Sequence, residues 1–251
     1  MKKLSVIGIG AGDPDYLTMQ AVKALNRVDV FFLMDKGADK QKLMDLRHEI
    51  CRRYIVDCTY RFVEAYSPER QRDDRDYLDS VEQLNRAKQA TFERLIDEEL
   101  SDGQCGGFLV WGDPGLYDST VRILQAILDT GRCDFEFEVI PGITSVQALA
   151  ARHKVPLNSI GGSLEITTGR RLASGQAGQA SSRVVMLDAE DAYRQVNDPD
   201  VYIYWGAYVG TPDEILIAGR LGEVADDIER TRKAARQANG WIMDTYLLRK
   251  P

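Results

Sequence analysis

Three apolar runs before Ala150 each end in a turn of small and polar residues and then give way to helical spacing. This repeated unit limits the chain to few folds. Residues 4–9 (LSVIGI) lead into Gly10-Ala11-Gly12-Asp13. Residues 107–111 (GFLVW) lead into Gly112-Asp113-Pro114-Gly115-Leu116-Tyr117, and residues 135–140 (FEFEVI) into Pro141-Gly142-Ile143-Thr144-Ser145. Their β-branched and aromatic residues favour strands. Helical spacing follows at Ala21, Val22, Leu25 and Val28, at Val121, Leu124, Ile127 and Leu128, and at Val146, Leu149 and Ala150. Thr18 and Ser145 are suited to cap the first and last of these helices. Such alternation predicts an α/β fold, a parallel sheet with helices on both faces. Ligands of such sheets sit at the carboxyl ends of the strands, where all three turns fall.

With Gly8, the first turn nearly spells a dinucleotide fingerprint. Counting from Gly8 and Gly10, a third glycine belongs at position 13, and the chain has Asp13 there. A carboxylate at that point opposes a diphosphate. No G-x-x-x-x-G-K-[ST] loop occurs either, so a nucleoside triphosphate site is not expected. The formal net charge of -7 argues against a nucleic-acid partner. No apolar run approaches the ~20 residues of a membrane span, and the six-residue run after Met1-Lys2-Lys3 is too short for a signal core. Cys51, Cys58, Cys105 and Cys133 form no C-x-x-C pair, and only His48 and His153 could join them. No metal site is therefore expected, and the cysteines read as reduced thiols of a cytoplasmic protein.

Further along, residues 29–34 read as a second strand, residues 39–54 as a helix, and residues 77–99 as the longest helix. Between the two helices lies a charged stretch with Arg61, Arg70, Arg72 and Arg75; it is read as a solvated face, or as a source of arginines that hold carboxylates. After Pro156 the pattern changes to short strands at 164–168, 183–188, 201–205, 214–218 and 240–248, with fewer helices. The expected organisation is an N-terminal parallel α/β domain over 1–150 and a C-terminal α+β domain with a mixed sheet over 151–251. Residues 173–182 (ASGQAGQASS) read as a loop, either a connector or a flap.

The three turns, in this order, resemble those of the tetrapyrrole methylases. Gly8-Ile9-Gly10-Ala11-Gly12-Asp13 with Leu17-Thr18, Trp111-Gly112-Asp113-Pro114 with Leu116-Tyr117, and Val139-Ile140-Pro141-Gly142-Ile143-Thr144-Ser145 carry the resemblance. Val184-Val185-Met186-Leu187, Thr211-Pro212-Asp213-Glu214 and Leu221-Gly222-Glu223 extend it. Residues 32–37 (FLMDKG), 46–51 (LRHEIC) and 240–248 (GWIMDTYLL) resemble a cobalamin-pathway branch that releases acetate as it methylates. Ala11 and Trp111 depart from the residues common in relatives, proline and glycine.

The resemblance implies a two-domain fold, a homodimer, and S-adenosyl-L-methionine as cofactor in a trough between the halves. Residues matching its cofactor contacts are Trp111, Asp113, Leu116, Thr144, Ser145, Met186 and Leu187. It implies a corrinoid substrate fringed with carboxylates, for which Arg47, Arg52, Arg53, Arg170 and Arg171 are candidate partners and Gly10 and Gly12 make room. Acetate release needs a base to activate water. Asp13 is the first candidate, followed by Tyr117 and Asp244; capping the loop or pairing with an arginine is the other role open to Asp13. The alternatives left open are methylation at another tetrapyrrole position and a cofactor-binding protein without turnover.

Overall fold

Strand β1 (Lys2–Gly8) is an interior strand of the first sheet, between β4 (Cys105–Val110) and β5 (Phe135–Ile140). The computed structural model describes residues 1–35, 41–56, 59–68, 77–178, 180–198 and 200–250. With β2 (Val30–Asp35) and β3 (Arg61–Tyr66) the order is β3-β2-β4-β1-β5, and every pairing is parallel. Side chains of β1 alternate across the sheet, as strand geometry requires. Leu4 and Val6 pack with Phe92 and Leu95 of α3 (Tyr77–Glu99) and Leu124 and Ile127 of α4 (Thr120–Asp129). Ile7 and Ile9 pack with Ala21 and Leu25 of α1 (Met19–Leu25) and Ile50 and Cys51 of α2 (Gln41–Tyr54). Each leucine or isoleucine buried this way contributes about 1.5–3 kcal/mol over its exposed state. Thr18 caps α1 as expected, its side chain accepting from the Ala21 amide at 3.0 Å.

Strand β3 has no counterpart in the sequence reading. It runs along the sheet edge with Arg61, Glu64 and Tyr66 exposed, so its Phe62, Val63 and Ala65 are hidden among charges. Lys36, Gly37, Cys58, Arg70, Arg72 and Arg75 lie outside the described residues.

Packing groups residues Met1–Gly10 and Pro14–Ile143 as one unit, and Ala11–Asp13 with Thr144–Pro251 as a second. The second unit contains α5 (Ser145–His153), β6 (Leu164–Thr168), α6 (Gly169–Ala173), β7 (Ser182–Met186), β8 (Tyr202–Ala207), β9 (Ile215–Arg220), α7 (Leu221–Asn239) and β10 (Asp244–Arg249). Its sheet order is β6-β7-β10-β8-β9, with β6 and β7 parallel and the other pairs antiparallel. Tyr193, Trp205, Tyr246 and Leu248 form its core with Ile228 and Ala235 of α7. Helix α7 was not foreseen. Its apolar stripe, Leu221, Val224, Ile228 and Ala235, is interrupted by the charged Arg232, which is itself buried. Gly240 closes α7 at φ 74°, so the last strand starts at Asp244 and not at 240. No helix among the described residues is long and apolar enough to cross a membrane.

Candidate active site

In the first unit the turns after β1, β4 and β5 meet as backbone on backbone. Gly10 and Gly112 form an isolated antiparallel bridge, Gly112 N–H donating to Gly10 O at 2.8 Å and Gly10 N–H to Gly112 O at 3.3 Å. A Cβ on Gly8 would stand 2.6 Å from Gly142 N and 2.9 Å from Gly112 O, and one on Gly142 would overlap Gly112 O. Only glycine permits this approach. Asp113 stitches the arrangement: Oδ1 accepts from Gly115 N–H at 2.7 Å and Oδ2 from Gly142 N–H at 2.8 Å. Its carboxylate therefore positions two turns, where contact with a cofactor was expected. Trp111 is half-buried and its Nε1–H, fully enclosed, has no acceptor. Tyr117 stands exposed at φ 53°, an uncommon conformation for a residue with a bulky side chain.

In the second unit Thr144, and not Ser145, is the N-cap of α5. Its side chain accepts from Val146 N–H at 3.2 Å and from Gln147 N–H at 3.5 Å, and Gln147 Oε1 accepts in return from the Thr144 amide at 3.0 Å, completing a capping box. Ser145 begins the helix and shares a hydrogen bond with Thr245 Oγ1 at 3.2 Å. Gly12, at φ 149°, lies so close to Val209 O and Thr211 that no side chain fits. Glu214 holds that turn, accepting from Gly210 N–H at 2.9 Å and pairing with Arg152 of α5. Asp13 follows it, half-buried.

The turn after β7 carries the expected pair Met186 and Leu187. Leu187 is 65% exposed and sits at φ 53°, an apolar side chain held outward in a strained backbone. Asp188 fixes the position: its carboxylate accepts from Glu190 N–H at 3.1 Å, Ala192 N–H at 2.8 Å and Tyr246 O–H at 2.7 Å. Burial pushes the Tyr246 hydroxyl well above its ordinary pKa and keeps it a donor. Asp188 was missed in the sequence, where no spacing marks it.

Asp244, the third candidate base, lies in a buried charged network. It is buried, and Oδ2 accepts from Trp205 Nε1–H at 3.0 Å and from Arg232 Nε–H at 2.8 Å. Burial pushes its carboxyl up, and the guanidinium opposes that. Arg232 also pairs with Asp191 at 3.3 Å and donates to Asp188 O. This network ties α7 to β10 and to the 188–191 turn.

The candidate arginines are divided between the two units. Arg53 is exposed and pairs with Asp15 at 2.9 Å, and Arg52 is exposed. Arg170 and Arg171 are exposed on α6 of the second unit, Arg171 reaching Gln176 O at 3.3 Å. Arg47 alone of the five turns inward, donating from Nη1 to Leu43 O at 2.7 Å and from Nε to Leu109 O, near the carboxyl end of β4, at 3.2 Å. The three described cysteines are inert by environment; burial pushes the Cys51 thiol up to about 12. Among the described residues no cluster of potential metal ligands occurs.

The parallel sheet, its glycine turns and the mixed second sheet define a known class. The sequence profile of the Tetrapyrrole (Corrin/Porphyrin) Methylases matches residues 3–225, and the chain belongs to that family. Within it, the chain is 49% identical over 250 residues to the precorrin-6A synthase [deacetylating] of Sinorhizobium sp., covering 100% of this chain and 96% of that one. The solved structure of a cobalamin synthesis related protein (CobF) from Corynebacterium diphtheriae superposes with a TM-score of 0.85 at 34% identity, covering 100% of this chain and 99% of the other. A uroporphyrin-III C-methyl transferase from Thermus thermophilus, complexed with S-adenosyl homocysteine, shares the fold at a TM-score of 0.60 and 20% identity, over 98% of this chain and 97% of that one.

Proposed function

We propose that the chain is an S-adenosyl-L-methionine-dependent C-methyltransferase of aerobic cobalamin synthesis, acting on precorrin-5 at C-1 to give precorrin-6A and acetate. The end-to-end 49% identity to a precorrin-6A synthase carries this reading. When bound, the cofactor supplies an electrophilic methyl group.

The residues present suit such a ligand. Its adenine and its amino-acid end call for apolar faces and backbone donors, with no phosphate cradle. Leu187 offers an outward apolar face and Trp111 an enclosed N–H still lacking an acceptor. Leu116, Thr144, Ser145 and Met186 complete the assignment, with Asp113 acting through the turns it holds. Positioning is the main help such residues give to an in-line transfer.

Acetate release requires water to add to the acetyl carbonyl. The carbon–carbon bond to the ring then breaks, its electron pair stays on the ring carbon, and that carbon takes the methyl group. In our assignment Asp13 accepts the proton of the water, with Tyr117 next in line; Asp244 is engaged by Arg232. The reading carries with it a cytoplasmic homodimer.

Incubation with precorrin-5 and methyl-labelled cofactor, read by mass, should give one labelled methyl and one acetate per turnover. Label without acetate would point to another tetrapyrrole position, and cofactor binding without label to a protein that does not turn over. Asp13→Asn should keep cofactor affinity and lose acetate release; wild-type acetate release in that variant would remove Asp13 from the base role.

A further inference from the structure

Among the described residues of the second unit, Lys154, Leu187, Asp191 and Tyr208 take a positive φ without being glycine. Three of them have a local reason. Lys154 closes α5, and Asp191 opens the short helical turn Ala192–Gln195. Tyr208 is buried, its hydroxyl donating to Trp241 O at 2.5 Å. Leu187 has no such reason. It follows β7, caps no helix, carries no polar group to settle its own backbone, and is largely exposed. A leucine keeps this conformation only where its surroundings hold it there.

The hold comes through the next residue, the buried Asp188. Two donors to its carboxylate, Glu190 N–H and Ala192 N–H, belong to the same turn and move with it. The anchors come from other elements. Tyr246 O–H of β10 donates to Oδ2 at 2.7 Å, and Arg232 of α7 donates to the Asp188 carbonyl. Gly169, the first residue of α6, is fitted to the same point. The three atoms nearest a Cβ built there all belong to Asp188, with Oδ1 at 2.5 Å, Cγ at 2.6 Å and Cα at 2.7 Å. Gly169 does not take a positive φ, so its missing side chain answers to Asp188 and not to a turn. A carboxylate withdrawn from water is costly to keep even with its partners in place. The feature this one secures is an apolar side chain set outward.

We propose that Asp188, Tyr246 and Gly169 are positioning residues for the methyl donor, holding the turn after β7 so that Leu187 is presented to it. The inference rests on the cofactor proposed above and adds residues that act on it only through Leu187. None of the three touches the ligand in this assignment. Because folding has already set the turn, the cofactor does not have to order it on binding.

S-adenosyl homocysteine, titrated by calorimetry, is the probe. Tyr246→Phe keeps the ring in the core and removes only the hydroxyl that reaches Asp188; it should weaken binding about tenfold. Gly169→Ala leaves that hydroxyl in place and displaces Asp188 instead, and it should act in the same direction. Leu187→Ala should also weaken binding by about tenfold. Tyr246→Phe added to Leu187→Ala should then cost less than about twofold more, since residues that act through one another are not additive. In turnover, Tyr246→Phe should raise KM for S-adenosyl-L-methionine and leave kcat at saturation, and KM for precorrin-5, within about twofold of wild type. A purely structural Asp188 would lower Tm in these variants with the affinity unmoved. Unchanged affinity in folded Tyr246→Phe and Gly169→Ala proteins, or losses that add in full in the double variant, would overturn the positioning role. No binding to the wild-type protein would remove the cofactor reading and this role together. If the losses are coupled but the wild-type protein releases no acetate from precorrin-5, the role stands and the proposed reaction falls.

Discussion

Arg232 and Asp244 sit where water hardly reaches, 6% and 8% exposed. Removing one charge from such a pair leaves the other stranded. Asp244→Asn is expected to lower stability by about 3–5 kcal/mol in urea unfolding. Full stability with turnover abolished would instead return Asp244 to the chemistry. His153 gives a second test at this scale. Its Nε2 lies 3.0 Å from Trp205 O, and burial lowers its pKa from the ordinary value. The unfolded chain therefore takes up this proton first as pH falls. The contribution of His153 is complete above roughly pH 6.5 and is lost as the medium acidifies below it. Wild-type Tm should fall more steeply between about pH 7.5 and 5.5 than that of His153→Gln, whose amide can still donate to the carbonyl. At this scale the sequence spoke unevenly. Asp13 stood out because it broke a glycine pattern. Asp188 left no trace, since Tyr246, whose hydroxyl it accepts from, lies 58 residues away and is joined to it only by folding.

The turns and helix caps respond as elements. Gly142→Ala places a methyl group against Gly112 O, a backbone atom that cannot rotate away. A loss of about 1–3 kcal/mol is expected, together with weaker binding of S-adenosyl homocysteine; calorimetry checks both. Thr144→Ala removes the acceptor of the α5 capping box and should cost about 1 kcal/mol with no effect on the first unit's turns. The turns were readable because each needs Gly, Asp or Pro for a local reason that composition exposes. Strand β3 and helix α7 were not. Phe62 and Val63 are flanked by charged residues on an edge strand, and the α7 stripe is broken by Arg232, whose partner Asp244 lies one strand further on.

For the whole molecule, cofactor binding should act as ligand-linked stabilisation. At a concentration of S-adenosyl homocysteine about 100 times its Kd, the folded state gains roughly 2.7 kcal/mol, which for a chain of this size raises Tm by roughly 5–10 °C. A Tm unmoved by the ligand would argue against the cofactor assignment. The alternation of strand and helix made the first sheet predictable, whereas the order β6-β7-β10-β8-β9 depends on pairings between distant segments that no local pattern encodes. The contact of Gly8, Gly112 and Gly142 also constrains how a lineage carrying this fold can change. A side chain at Gly8 or at Gly142 strikes the backbone of another of the three, so neither of these two can drift alone and no side-chain change elsewhere restores the space. Variation then has to fall outside this backbone contact, and Gly8 and Gly142 are inherited as a pair.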